Sequence, residues 1–255
     1  MKPPAARPPR FAISSDAGEE PIARIGDLAR IEDGELHHLR DVMRLGPGAA
    51  VRVIVGGGAE FDGRVTLLAA DHAEIEITGI VERSTAYPAI ILAIALIKGP
   101  RMDFIVEKAA ELGATALWPL ECARAVVRNP GVERLARWRR LALAAAKQSL
   151  SPHRMEIRPP LTVAEAAREV PKGTLAAVCT AGADPLGAIV RRTRPRGMLI
   201  ACGPEGDFDA GEYAAMHAAG FVAAGLGPNR LRSETAALAA LSLAAGALDE
   251  IERGI

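Results

Sequence analysis

The segments Ala201-Cys-Gly-Pro-Glu-Gly-Asp-Phe208 and Leu226-Gly-Pro-Asn-Arg-Leu-Arg-Ser-Glu-Thr-Ala236 decide the fold of this chain. Each segment follows a short apolar run typical of a buried strand and leads into a helical pattern. Their glycines allow sharp turns and a close approach of the backbone to a ligand, and open α/β sheets bind ligands at the carboxyl ends of their strands. The two loops therefore predict a small-molecule site on an α/β sheet, with two plain turns as the alternative.

The same alternation of strands and helices extends over residues 89–255. Residues 90–97 form a continuous apolar run, as expected of a strand that is buried on both faces. Thr162 and Asp209 each stand three residues before a glutamate, which is the capping-box signature of a helix N-terminus. This pattern predicts a mostly parallel sheet that is covered by helices on both faces.

Residues 1–88 show a different pattern. Short stretches at 51–55, 64–68 and 74–78 alternate apolar and polar side chains, and turn residues separate them. This part of the chain is therefore predicted to form a small β-rich domain of its own.

The overall composition is that of an ordinary soluble globular protein, with 49% hydrophobic and 24% charged residues in a chain of 255. Aromatic residues make up only 4%, which argues against an RNA-binding surface built mainly of stacked rings. The longest apolar run, 236–248, is shorter than the roughly 20 residues that span a bilayer, so it is interpreted as a buried helix. The basic N-terminus lacks the apolar region of a secretory signal. We therefore expect a cytoplasmic protein with no membrane partner.

Three cysteines, Cys122, Cys179 and Cys202, are too widely spaced to predict a disulfide framework or a zinc pattern. We expect buried, reduced thiols, in keeping with a cytoplasmic location. Cys202 is a poor candidate nucleophile, because it ends an apolar strand. The adjacent His37 and His38 point in different directions on any regular element, so no metal site is expected.

Basic residues are concentrated in one stretch, although 31 lysines and arginines balance 31 aspartates and glutamates over the whole chain. Between residues 124 and 158, the acidic residues are only Glu133 and Glu156. The basic residues of this stretch are Arg124, Arg128, Arg134, Arg137, Arg139, Arg140, Lys147, Arg154 and Arg158. One interpretation is a solvated helix face, and the other is a surface that contacts nucleic-acid phosphates.

Several motifs resemble the RsmE family of ribosomal RNA methyltransferases, within the SPOUT superfamily. The most specific are Gly203-Pro-Glu-Gly206, Leu226-Gly227 and Leu231-Arg-Ser-Glu-Thr-Ala236. The resemblance extends upstream to His37-His38-Leu39, Val42-Met-Arg-Leu45, Gly48, Lys98-Gly-Pro-Arg-Met102, Glu107-Lys108, Glu111-Leu-Gly113 and residues 144–148. Two positions depart from the family pattern. Asp207 stands where the family usually has glycine. Leu150 stands where the family tends to have an arginine, and in this chain Arg154 is expected to take the place of that arginine in contacting RNA.

The resemblance implies a fold and a cofactor. Family members pair a PUA-like β-barrel, here residues 1–88, with an α/β catalytic domain, here residues 89–255, whose C-terminus is threaded into a trefoil knot. They bind S-adenosylmethionine and act as homodimers. The residues expected to bind the cofactor lie in three loops and are Thr180, Ala181, Gly203, Pro204, Glu205, Gly206, Leu226, Gly227 and Leu231.

The reaction that the resemblance implies is transfer of a methyl group to the N3 imide nitrogen of a uridine in 16S ribosomal RNA. This nitrogen is a poor nucleophile until its proton leaves, so negative charge on the flanking carbonyls must be stabilised. We expect Arg232 to stabilise that charge, with Glu205 or Glu234 as orienter or proton acceptor. A loop brace made by Arg232 and Glu234 is the structural alternative.

The resemblance also implies RNA contacts. The residues expected to make them are Arg10, Arg44, Lys98, Arg101, Arg137, Arg140 and Arg154. Two other functions remain open from the sequence: a 2′-O-ribose methyltransferase of the same superfamily, and a non-enzymatic RNA-binding protein on the same scaffold.

Overall fold

The computed structural model describes residues 8–13, 24–55, 59–81, 88–149, 151 and 155–254. Internal contacts divide the chain into two compact units, Met1–Thr85 with Ser149–Arg154, and Ala86–Gln148 with Met155–Ile255. Each unit encloses a hydrophobic core of its own.

The smaller unit is built on a curled five-stranded sheet. Its strands are β1 (Arg10–Ile13), β2 (Leu28–Glu32), β3 (Ala50–Val55), β4 (Ala59–Leu68) and β5 (His72–Val81). Their order is β1-β3-β4-β5-β2, in which β1 and β3 are parallel and the other neighbours antiparallel. The edge strands β1 and β2 contact each other, which curls the sheet towards closure. After β2 come a short helix, α1 (Asp33–His37), and a π-helical turn, His38–Val42.

Alternating burial explains why this part of the chain forms a sheet. In β5, Ile75 and Ile77 lie in the core, whereas Glu74 and Glu76 are partly or fully exposed. A period of two is what a strand with one buried face requires. Phe11 of β1 closes the same core without any exposed surface. The β-rich N-terminal part predicted from the sequence is therefore confirmed.

The larger unit contains a parallel sheet. Its strands are β6 (Ala89–Ala95), β7 (Ala116–Glu121), β8 (Glu156–Ile157), β9 (Leu161–Thr162), β10 (Leu175–Cys179), β11 (Gly197–Cys202) and β12 (Val222–Ala224). Their order is β12-β10-β11-β6-β7-β8, and β9 also pairs with β7. Within the described part of the chain, every pairing between these strands is parallel.

Helices cover both faces of this sheet. They are α2 (Pro100–Glu111), α3 (Val132–Gln148), α4 (Val163–Arg168), α5 (Leu186–Thr193), α6 (Ala210–Ala218) and α7 (Ser233–Arg253). Leu92 and Ile94 of β6 pack into the core shared with α2, α3, α5 and α7. Ile91 and Ala93 pack into the opposite core, shared with α4 and α6. The predicted fold class, a parallel sheet with helices on both faces after a small β domain, is confirmed, whereas the trefoil knot stays a prediction.

The capping boxes predicted at two helix N-termini are confirmed. Thr162 and Asp209 each accept a hydrogen bond from the backbone N–H three residues later, and both capping boxes are complete. Helix α7 begins without such a cap, because its N-cap residue is Arg232, which makes no side-chain cap bond. Among the described residues, no helix is both long and apolar enough to span a membrane.

Candidate functional site

Three loops meet at one edge of the parallel sheet. The first loop, with Thr180 and Ala181, follows β10, the second, residues 203–206, follows β11, and the third, residues 226–231, follows β12. Because β12, β10 and β11 are adjacent and parallel, their carboxyl ends lie side by side. This is the edge at which open α/β sheets bind ligands. The structure thus brings the residues expected to bind a cofactor to a common edge.

The first and third loops are joined by backbone hydrogen bonds. The Thr180 N–H donates to the Ala224 carbonyl at 2.9 Å, and the Gly225 N–H donates to the Asp184 carbonyl at 2.7 Å. A Cβ atom at Gly225 would collide with the carbonyl oxygen of Ala183, so only glycine fits this close approach. Gly225 was not among the residues expected at the site. The sequence feature that could have identified it is a second glycine two residues before Gly227.

A cavity of about 470 Å³ opens between these two loops. Its lining includes Gly182 of the first loop, Leu226 and Gly227 of the third, and residues of α5 and α7. Residues 203–206 do not line it, nor do Thr180, Ala181 and Leu231. Space beside the Gly227 Cα atom is open, and its φ of +128° is a conformation that favours glycine. The volume lies within the range of roughly 300–1,000 Å³ that is usual for small-molecule pockets. The two loops therefore offer room for a ligand the size of a nucleoside derivative.

The loop after β11 is held by a hydrogen bond within its own turn and by hydrogen bonds from Arg124. Its turn is closed by the Asp207 N–H, which donates to the Pro204 carbonyl at 2.9 Å. The Arg124 guanidinium donates to the carbonyls of Gly206 at 3.0 Å and Phe208 at 3.3 Å. Arg124 is one of the basic residues between positions 124 and 158, and it supports this loop.

Arg101 joins the two candidate catalytic carboxylates. Its Nη1 atom lies 2.8 Å from Glu205 Oε1 and 3.6 Å from Glu234 Oε2. The second distance is that of an ion pair and is too long for a hydrogen bond, and Glu234 Oε2 is buried without a hydrogen-bond partner. Glu234 therefore pairs with Arg101 and does not brace the loop through Arg232. Arg232 is exposed, and its guanidinium has no partner among the described residues.

The basic residues expected to contact RNA differ in their surroundings within the larger unit. Lys98 and Arg140 are exposed. Arg137 donates to Asp103 Oδ2 at 3.0 Å, and the same carboxylate accepts a 2.8 Å bond from the buried Trp138 indole. The ion pair with Asp103 joins α3 to α2 and compensates part of the charge on Arg137. Arg140 therefore has more of its charge available for RNA than Arg137.

In the smaller unit, Arg10 lies 3.5 Å from the buried carboxylate of Glu60, so its charge is partly compensated. Arg44 is exposed and adopts a left-handed backbone conformation with φ of +52°. Arg154, the remaining residue expected to bind RNA, lies outside the described residues.

Two cysteines that are distant in the sequence are neighbours in the structure. Cys179 and Cys202 end adjacent strands, and their Sγ atoms are 3.5 Å apart. The hydrogen bond to Cys179 and complete burial raise the pKa of the Cys202 thiol well above its usual value. Burial likewise raises the pKa of the Cys122 thiol. Thiols that stay protonated are poor nucleophiles, so Cys202 is not suited to attack a substrate.

Comparisons with known proteins agree with this geometry. A family model described as an RNA methyltransferase domain matches residues 85–245, and one described as an RNA methyltransferase PUA domain matches residues 31–78. The chain is 34% identical over 213 residues to the Ribosomal RNA small subunit methyltransferase E of Synechocystis, covering 82% of this chain and 69% of the relative. Its identity to the Bacillus subtilis protein of the same name is 29% over 219 residues, covering 82% and 86%.

A solved structure shows the same likeness. The crystal structure of a Ribosomal RNA small subunit methyltransferase E from Neisseria gonorrhoeae, bound to S-adenosyl methionine, superposes with a TM-score of 0.70 at 30% identity. The match covers 92% of this chain and 96% of that chain. By its sequence and its fold, this chain belongs to the ribosomal RNA small subunit methyltransferase E family.

Proposed function

We propose that this protein transfers a methyl group from S-adenosylmethionine to the N3 imide nitrogen of a specific uridine in 16S ribosomal RNA. The observation that carries the proposal is the meeting of three loops at the carboxyl edge of β10, β11 and β12, with the exposed Arg232 directly after the third loop. Membership of the family supports both the cofactor and the class of substrate. Residues 89–255 are assigned to catalysis and residues 1–88 to RNA binding.

The cofactor supplies a methyl group on a positively charged sulfur. The backbone of the first and third loops is suited to hold it, because these loops border an open cavity beside Gly227. The remaining contacts are assigned to the loop after β11, through residues 203–206. Residues Thr180, Ala181, Leu226 and Leu231 complete the binding site in this proposal.

Arg232 is assigned to the uracil base. A guanidinium can donate two hydrogen bonds to a carbonyl that gains negative charge as the N3 proton leaves. The absence of a partner for Arg232 within the described part of the chain leaves its donors available for this purpose. Glu205 and Glu234 are assigned to orientation of the base or acceptance of its proton, and Arg101 holds both carboxylates close to the third loop.

Recognition of the RNA is assigned to exposed basic groups of both units. Lys98 and Arg140 carry the larger share in the catalytic unit, with Arg137 contributing the charge that Asp103 leaves uncompensated. Arg44 is an exposed cation of the smaller unit that is assigned to RNA contact. The Watson–Crick edge of a base must be unpaired or extruded before an enzyme can reach it. Contacts to the phosphates on either side would hold such a base in place.

The proposal includes a homodimer formed by the catalytic domain in the cytoplasm. Helix α7 buries one face in the core, yet Leu243 on the same helix is 41% exposed. A second copy of the chain can cover such a surface around a twofold axis. Light scattering at micromolar concentration tests this assembly, and a stable, active monomer would contradict it.

Mass spectrometry of nucleosides tests the reaction itself. Unmethylated 16S ribosomal RNA or small subunits are incubated with the protein and S-adenosylmethionine, then digested to nucleosides. We expect 3-methyluridine. A ribose-methylated nucleoside would indicate the 2′-O-methyltransferase alternative, and bound RNA without any methylated product would indicate a non-enzymatic RNA-binding protein.

A further inference from the structure

Asp207 occupies an unusual backbone conformation in the loop after β11. Its φ is +63°, in the left-handed region that glycine adopts without cost. Aspartate is one of the few other residues that tolerate this region. The loop therefore adopts a backbone shape that favours glycine while it carries a carboxylate.

That carboxylate has two defined partners. Asp207 Oδ1 accepts a 2.8 Å hydrogen bond from the Phe208 N–H and a 2.9 Å hydrogen bond from the Tyr213 hydroxyl. The local bond to Phe208 favours the turn. The bond to Tyr213 ties the turn to α6, because Tyr213 lies in the first turns of that helix.

Tyr213 also contacts the neighbouring parts of the site. Its ring meets the ring of Phe208 edge-on, with centroids 5.7 Å apart. Phe208 is buried and packs against Gly203, where an added Cβ atom would lie 3.2 Å from the ring. Tyr213 therefore packs against the same ring that supports Gly203 in the loop after β11.

The hydroxyl of Tyr213 is protonated, as it must be to donate a hydrogen bond to the carboxylate of Asp207. Burial is the main cause that raises its pKa, and the bond to Asp207 adds to the increase. A phenol with a raised pKa remains protonated at neutral pH, so it can donate to the carboxylate.

We infer that Tyr213 is a positioning residue which, through Asp207, fixes the loop after β11 to helix α6 and thereby sets the affinity for S-adenosylmethionine. The inference rests on the proposed function, since this loop is assigned to the cofactor there. A loop that is already ordered loses less conformational freedom when the ligand binds, and this increases affinity.

A double-mutant cycle measured by calorimetry with S-adenosylmethionine tests the inference. Tyr213→Phe keeps the ring contact with Phe208 and removes only the hydroxyl, so we expect Kd to rise by about fivefold to tenfold. Asp207→Gly restores the residue that needs no support, and we expect nearly unchanged affinity. In the Asp207→Gly background, Tyr213→Phe should then have little further effect. This background is the matched control, because the same hydroxyl is removed without its partner.

Kinetics and hydrogen exchange separate positioning from general stability. Tyr213→Phe should raise KM for the cofactor and leave kcat unchanged. In the cofactor-free protein it should also accelerate exchange of the Phe208 amide, while amides in the middle of α6 keep their rates.

Three results would overturn the inference. They are an unchanged Kd in Tyr213→Phe, an equal loss of affinity in both backgrounds, or an unchanged exchange rate at Phe208. Failure of the unmutated protein to bind S-adenosylmethionine is a different outcome, since it would refute the proposed function and with it any role of Tyr213 in cofactor binding.

Discussion

The guanidinium of Arg101 lies 2.8 Å from the carboxylate of Glu205, which ties the start of α2 to the loop after β11. The same nitrogen atom is 3.6 Å from Glu234 at the start of α7. One cation therefore links three segments that surround the candidate site. It also provides the counter-charge for a Glu234 oxygen that is buried without a hydrogen bond.

Replacing Arg101 should destabilise the protein through Glu234. Arg101→Ala leaves that carboxylate buried without a cation, and we expect the free energy of unfolding to fall by about 1–2 kcal/mol. Urea denaturation measures the change. In a Glu234→Gln background the same replacement should cost less, because no buried charge is then left without a cation. Equal losses in both backgrounds would mean that Arg101 acts independently of Glu234.

Arg232 should contribute to the chemical step more than to binding. Arg232→Ala is expected to slow methyl transfer on the order of 10²–10³-fold, because one donor to a developing negative charge is lost. Affinity for cofactor and RNA should stay nearly normal. Arg232→Lys should recover little of the rate, since the planar fork is absent. Single-turnover kinetics at saturating RNA and cofactor decide the matter, with the exposed neighbour Arg230→Ala as the matched control. A wild-type rate in Arg232→Ala would assign the residue to a structural role.

Arg140 should contact the RNA backbone. Arg140→Ala is expected to weaken RNA binding and to reduce the slope of log affinity against log salt concentration by roughly 1. Arg137→Ala should have a smaller effect on the slope, because Asp103 already compensates part of its charge. Binding titrations at several salt concentrations measure the slopes, and Arg253→Ala at the end of α7 is the control. An unaltered slope for Arg140→Ala would mean that the exposed face of α3 is solvated and does not contact the RNA backbone.

Gly225 should be indispensable for the cofactor site. Gly225→Ala forces the Ala183 carbonyl away and separates the first and third loops, so affinity for S-adenosylmethionine should fall by about tenfold or more, which corresponds to about 1.4 kcal/mol. Gly246→Ala is the control, because an added Cβ atom in that helical position meets no atom within 4 Å beyond the neighbouring residues and backbone of its own helix. The control should keep its affinity and gain about 0.5–1 kcal/mol of stability. Calorimetry that finds wild-type affinity in Gly225→Ala would remove these loops from the site.

The elements of the fold could be predicted because their signals are local. The capping boxes at Thr162 and Asp209 each depend on residues three positions apart, and β6 is an uninterrupted apolar run. Two of the three loops could also be found, because glycine-rich turns that follow strands have a short-range pattern, whereas the loop at Thr180 was expected only from the family resemblance. Once neighbouring strands are parallel, their carboxyl ends must lie at a common edge.

The partners of the site residues depended on the tertiary structure. Sequence proximity suggested that Glu234 pairs with Arg232, but the folded chain places Arg101 of α2 beside Glu234 and Glu205. Strand order likewise places Cys179 beside Cys202. Ion pairs and side-chain hydrogen bonds act over only a few ångströms, so they form between groups that packing brings together, whatever their separation along the chain. The sequence by itself determined the strands, the helices and the loops that bear the site, and packing alone decided which side chains meet there.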